Sequence, residues 1–292
     1  MTETPPATPR SLAQLRGRVR TRAKAIGRND WVMERLVANV VTGQMLPPGV
    51  VKGGTALKIR VGDEKTRFSR DLDAARAAEI DLDQYLDALD ANLQAGWNGI
   101  TGTIRGDRPV KAPPSVPDDY VMRRFKIALA YKGSAWLAVE FELGRDEVGS
   151  TERAEKRMAQ DVVDFFLAIG LPAPAPIPLL PVDHQIAQKL HACTSTGAGG
   201  ENERAHDLVD LQVLVREEKP DLGVAGTTAR RLFASRRTHP WPPTVVAFDL
   251  WASIYAEAAA GLDALPNVGE AVQWANTELV AKMDEASRQA SE

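Results

Sequence analysis

The chain has one cysteine in 292 residues, Cys193. No disulfide can close within it, which suits a reducing compartment. Histidine is scarce too, at four residues. His184 and His191 lie about two helical turns apart with only Cys193 beside them, a set too thin for zinc. No apolar run reaches the roughly 18 residues that a spanning helix needs, which excludes a membrane helix as a design element. The opening segment, MTETPPATPRSLAQLRGRVRTRAKA, lacks the apolar core of a secretion signal. Strong net charge is also missing, at −3. The molecule is therefore no general polycation, and any nucleic acid must be bound through a local patch. These absences predict a soluble, cytoplasmic protein without a membrane partner.

What is present falls into two halves. Residues 1–10 are rich in Pro and Thr and read as a disordered N-terminus. Ser11 reads as the N-cap of a helix reaching about Ile26, and a second helix spans about Asp30 to Leu46. PPGVVKGG reads as a turn, a short strand and a glycine turn, with a helix opening near Thr55. TRFSRDLDAAR alternates like a strand. In DLDQYLDALDANLQAG, Leu82, Tyr85, Leu86, Leu89 and Leu93 form one helical stripe. WNGITGTIR, YVMRRFKIALAYKG and AWLAVEFEL read as strands, the last two joined by a YKGS hairpin. After Gly149 comes a helical stretch, and the Pro-rich LPAPAPIPLLPV marks a boundary. Helices then follow over about 183–195, 204–217, 226–237, 246–261 and 268–289. The expectation is an α+β chain: a mixed-sheet half with flanking helices over 11–180, then a helical half over 181–292.

Three clusters in the first half carry chemistry. In a strand, residues i and i+2 share a face, so Asp71 and Asp73 would present two carboxylates side by side. A divalent cation relieves their repulsion, and hard oxygen ligands suit magnesium. Gly53 and Gly54 sit between a strand and a helix, where the backbone can approach a phosphate and helix N–H groups are unpaired. Thr55 adds a hydroxyl. This is not a P-loop, because no Gly-Lys-Ser/Thr follows. In WLAVEFEL, Glu140 and Glu142 share one strand face. Three carboxylates on adjacent strands can hold two metal ions roughly 3.5–4 Å apart, a pair that orients a triphosphate. Taken singly, the carboxylate clusters also fit an ordinary solvated surface and the glycine pair a simple tight turn.

The order of these clusters resembles the nucleotidyltransferase fold of the DNA polymerase β superfamily. VVKGGTALKIR followed by RFSRDLD is similar to the AbiEii/MenT nucleotidyltransferase toxins, with their KGGTAL and S-x-D-x-D segments. QKLHA (Gln188 to Ala192) resembles the family's K-x-x-A motif, and RAHDLVDLQVL (Arg204 to Leu214) its R-x-K-D-x-x-D-L motif. HPWPP (His239 to Pro243) adds to the likeness, which runs from about residue 50 to 243. His206 departs from the pattern, standing where the family often has Lys.

The resemblance implies roles. Gly53, Gly54 and Thr55, with Ser69 and Asp207, would bind the nucleotide. Asp71 and Asp73 would hold Mg2+, or Mn2+ in its place, with Glu142 as third carboxylate and Glu140 the alternative. Lys189 would neutralise triphosphate charge, and Asp210 joins Asp71, Asp73 and Lys189 in the catalytic set. Ser69, two residues before Asp71, would share its face by strand alternation and offer a hydroxyl for neutralising modification. The implied activity is NMP transfer from an NTP to RNA, at the tRNA 3′ end, blocking translation, with an antitoxin encoded nearby. Arg16 to Lys24, Arg123, Arg124 and Lys126, and Arg230, Arg231, Arg236 and Arg237 are candidate RNA-backbone contacts. The alternatives are a nucleotidyltransferase acting on a protein or small molecule, and a non-catalytic binding protein that keeps the fold.

Overall fold

The computed structural model describes residues 6–106, 122–196 and 200–290. They form two compact units, which are treated in turn. The first comprises Met1–Glu64, Phe68–Asp146 and Thr151–Leu179; the second comprises Lys65–Arg67, Glu147–Ser150 and Leu180–Glu292.

The first unit opens with α1 (Leu12–Ala25) and α2 (Asp30–Gln44), capped by the side chains of Ser11 and Asn29. Then come β1 (Gly49–Lys52), α3 (Gly53–Val61), β2 (Leu72–Arg76), α4 (Leu82–Ala95), β3 (Ile100–Arg105), β4 (Arg123–Tyr131) and β5 (Ser134–Gly144). The unit closes with β6 (Glu155–Arg157), α5 (Gln160–Ala168) and β7 (Ile177–Leu179). Asp81 and Gln84 form a full capping box that starts α4, satisfying two orphan backbone donors at once. The strands make one mixed sheet in the order β3-β4-β5-β2-β1-β7-β6. β2 runs parallel to β5 and β1 parallel to β7, while the other neighbouring pairs are antiparallel. Lys132 and Gly133 turn the β4–β5 hairpin with φ of 47° and 81°, both positive as a turn matching strand twist requires. Leu36, Val37, Tyr85, Leu89, Ile127 and Phe141 are among the buried residues of its core.

Three expectations are adjusted. The strand read over TRFSRDLDAAR begins only at Leu72. The Asp71 carbonyl instead accepts from Thr55 Oγ1 at 2.7 Å, a side-chain partner that replaces a ladder bond. The Pro-rich segment contains β7, which pairs with both β1 and β6. The stretch after Gly149 contains the short strand β6 before α5 begins. The first residues of YVMRRFKIALAYKG, Tyr120 and Val121, lie outside the described residues.

The second unit is helical: α6 (Val182–Thr194), α7 (His206–Glu218), α8 (Leu222–Arg236), α9 (Trp251–Ala259), α10 (Val268–Trp274) and α11 (Ala281–Gln289). A π-helical turn, Ala275–Val280, joins α10 to α11. α8 packs against both α6 and α11, and α7 against α6 and α9. An irregular strap, residues 237–250, links α8 to α9.

Candidate active site

In the first unit, the glycine turn and the paired aspartates meet. α3 begins at Gly53 itself, two residues before Thr55, so both glycines lie in its first turn. Gly53 has φ +68°, and a Cβ added there would run into Asp73 Oδ2. The unpaired N–H groups at the start of α3 therefore lie beside a carboxylate, with no side chain between them. Thr55 is buried. Its hydroxyl lies 3.3 Å from Asn39 Nδ2 and 3.5 Å from Ser69 Oγ, in addition to its bond to the Asp71 carbonyl. Ser69 thus reaches the start of α3 through Thr55 and not through strand alternation, since it precedes β2.

Register sets Glu142 beside Asp73. Asp73 pairs with Glu142 across the parallel β2–β5 ladder and with Lys52 across the antiparallel β1–β2 ladder. Glu142 pairs in turn with Arg124 on β4. One cross-strand row therefore reads Arg124, Glu142, Asp73, Lys52, with two like charges bounded by two cations. Arg124 Nε lies 2.7 Å from Glu142 Oε1, and Lys126 Nζ lies 2.8 Å from Glu140 Oε1. A cleft of about 530 Å³ is lined by Asp71, Glu140 and Glu142 with Arg70, Arg124 and Lys126 among others. Among the described residues no group of three or more His, Cys, Asp or Glu is gathered closely enough to hold a metal. Asp71 and Asp73 supply two hard oxygen donors. That set fits Mg2+, which takes one or two carboxylates and fills its octahedron with water and substrate phosphate oxygens.

In the second unit, α6 and α7 bring a second set together. Lys189 Nζ donates to Asp207 Oδ1 at 2.8 Å and to Asp210 Oδ2 at 2.6 Å. Arg67 forks onto Asp210 through Nε at 3.0 Å and Nη2 at 2.8 Å. Lys189 is only 7% exposed. Burial works against its ammonium, but the two carboxylates outweigh it and raise the pKa. Burial likewise opposes the Asp210 carboxylate, and Lys189 and Arg67 overcome it and hold its pKa well below the ordinary range. Asp207 shifts the same way for the same reasons, with Arg204 in place of Arg67. His206 is pulled down to about 4 by burial, with Arg67 and Arg204 also lowering it and Asp207 opposing. It is therefore neutral near pH 7 and carries none of the charge a Lys would bring there.

Sequence reading missed Arg67, Asn39 and Lys52. Arg67 sits two residues before Ser69, inside a motif read for its acids and its serine. Its partner is 143 positions away, so no local pattern could announce it. Lys52 was the recoverable one, since strand alternation across the β1–β2 pair sets it opposite Asp73.

A sheet with a glycine-started helix beside paired acids defines a nucleotidyltransferase-type α+β fold. The structure is similar to that of MenT4, a nucleotidyltransferase toxin from Mycobacterium tuberculosis H37Rv, at a TM-score of 0.51 and 17% identity, covering 93% of this chain and 98% of that chain. The model of the nucleotidyl transferase AbiEii toxins of type IV toxin–antitoxin systems matches residues 32–278. The chain belongs to that family. Comparison with curated proteins finds no match.

Proposed function

We propose that this nucleotidyltransferase moves a nucleoside monophosphate from an NTP to the 3′ end of tRNA, which blocks translation in the cytoplasm until a cognate antitoxin intervenes. The acceptor hydroxyl oxygen bonds to the α-phosphorus. The bond from that phosphorus to the β-phosphate oxygen breaks, pyrophosphate leaves with the electron pair, and the hydroxyl proton is lost to water. Gly53, Gly54 and Thr55 offer backbone N–H donors to the β and γ phosphates, with the Ser69 hydroxyl behind them, while the Thr55 hydroxyl stays on the Asp71 carbonyl. Asp71 and Asp73 hold the divalent ion, Mg2+ or Mn2+. When bound, it supplies positive charge to the phosphate oxygens. Glu142 is preferred over Glu140 as third carboxylate because it is the register partner of Asp73. Taking a metal there requires Glu142 to yield its ion pair with Arg124. Lys189 is the cation proposed to answer phosphate charge, and doing so requires it to yield a bond to Asp207 or Asp210.

The observation that carries this reading is Gly53, where a side chain would occupy the place of the Asp73 carboxylate. A phosphate-binding helix start and a metal-binding carboxylate are thereby adjacent. The test is incubation of the protein with total tRNA and each labelled NTP. Label should enter RNA in the wild type, and Asp71→Ala and Asp73→Ala should abolish transfer with the thermal midpoint little changed, because half-exposed carboxylates add little stability. Near-normal transfer by both variants removes the metal assignment. Label entering protein or a small molecule in place of RNA reassigns the acceptor.

A further inference from the structure

The second unit carries a cleft that none of the transfer residues lines. Its volume is about 490 Å³, and its walls are Phe233, His239 and Trp241, with Arg230 inside α8 and Arg237 at its C-cap. The aromatic groups are set at angles, not stacked on one another. Phe233 and Trp241 lie 5.4 Å apart at 77°, and Phe233 and His239 lie 4.9 Å apart at 75°. Phe233 is buried and backs His239 and Trp241, whose rings stay partly exposed.

The walls are held from behind. Arg236 Nη1 donates to His191 Nδ1 at 3.1 Å, which leaves the ring proton on Nε2, facing Thr238 Oγ1 at 2.8 Å. Thr194 Oγ1 lies 2.7 Å from His239 Nε2, and Thr238 Oγ1 lies 3.1 Å from His239 Nδ1. Trp241 Nε1 donates to Asp284 Oδ1 at 3.0 Å. Both ring nitrogens of His239 and the indole N–H are thus already occupied. The walls offer faces, not hydrogen-bonding edges.

The charge is arranged differently. Arg236 forks onto Glu147 and is spent inside the unit. Arg230 gives one nitrogen to Asp284 and Ser287 and keeps a side chain 44% exposed. Arg237 is exposed, and among the described residues its side chain has no hydrogen-bond or ion-pair partner. Arginines at a helix end also answer the C-terminal dipole, but that role requires neither a cleft nor aromatic walls.

We propose that this cleft binds an unpaired nucleotide, its base against the ring faces of Trp241 and His239 and its phosphate on Arg237 and Arg230. Stacking without edge contacts tolerates any base, because every base has a π face. A guanidinium fork suits a phosphate. A paired base is excluded, since its faces are covered by its neighbours in the duplex. The source favoured is a single-stranded RNA segment, in keeping with an RNA acceptor, and the inference rests on that reading of the function.

Binding, not turnover, tests it. The probe is a fluorescein-labelled short oligoribonucleotide, followed by anisotropy with the full chain, with a duplex of the same sequence and free AMP as competitors. Trp241→Leu should weaken single-strand binding by roughly 5–100-fold. Arg237→Gln, which leaves the core untouched, should weaken it several-fold and lower the salt slope by about 1. The duplex should compete poorly. If AMP binds with the same dependence on both residues while the oligonucleotide does not, the cleft is a site for a free nucleotide. Wild-type affinity in both variants overturns the proposal, as does a duplex that binds as tightly as the single strand with Trp241→Leu without effect. Loss of binding in the variants of a protein that transfers no nucleotide would retain the cleft and remove the transfer reading.

Discussion

At Gly53 the absence of one carbon joins two motifs. Its φ of +68° lies in the left-handed region, and any Cβ would meet the Asp73 carboxylate. Gly54, the next residue, has no positive φ. The two glycines therefore differ although the sequence writes them alike. Gly53→Ala should cost about 1–3 kcal/mol in backbone strain and should depress transfer beyond the loss of folded protein. Gly54→Ala should leave stability unchanged or slightly higher, since Ala is the better helix former. Urea midpoints of the two variants, each paired with a transfer assay, check this. Equal stability of the two would remove the close approach to Asp73 as the reason for glycine at Gly53.

Among the elements, the π-helical turn Ala275–Val280 has a structural consequence for the strap. An extra residue per turn re-aims a side chain, and here Asn276 faces the backbone of Val245. Val245 N donates to Asn276 Oδ1 at 2.9 Å, and Asn276 Nδ2 donates to Val245 O at 3.0 Å. The amide thus serves the strap as a neighbouring strand would. Asn276→Ala leaves a buried N–H and C=O without partners, a loss of about 1–3 kcal/mol. Chemical denaturation should show that loss, and amide exchange at Val245 should quicken. Unchanged exchange there would mean that the strap is held by its apolar contacts, Val245 being buried.

Across the whole molecule, four acid-side shifts among the described residues, those of His191, His206, Asp207 and Asp210, lie in the second unit. Burial, with Arg236 and His239, pulls His191 from 6.5 to about 3, and His206 falls from 6.5 to about 4. Both stay neutral in the folded protein and take up protons once unfolded. Stability should therefore fall as pH drops from 6.5 toward about 4, where the unfolded chain binds more protons than the native one. Below the ordinary carboxylate value of 3.8, Asp207 and Asp210 add to the fall, since their depressed pKa values stabilise the fold only while ionised. Lys189, raised above 10.5, keeps its contribution until strongly alkaline pH. The urea midpoint should decline between about pH 6.5 and about pH 4, and a His191→Asn, His206→Asn double variant should decline less over that window. A flat wild-type profile would contradict the burial of neutral histidines.

The sequence by itself determined the elements and the chemical vocabulary. Helical stripes, the cap at Ser11, the YKGS hairpin, the glycine pair and the spaced aspartates are local signals, written within a few residues of one another. For the same reason the α+β class and the resemblance of the motifs were legible. The tertiary structure alone decided which residues meet. Arg67 on Asp210, Lys189 between two aspartates, Asn39 on Thr55 and Glu142 beside Asp73 are long-range pairings. It also decided that a Pro-rich stretch supplies the strand Ile177–Leu179. Composition argued against that strand because proline withholds a ladder donor, and the partners that make the strand worthwhile, β1 and β6, are distant in the chain. Burial did the rest. It made His206 neutral and opposed the charges of Lys189, Asp207 and Asp210, which stay ionised only because they are held against one another, and no spacing of letters encodes how much water a side chain loses.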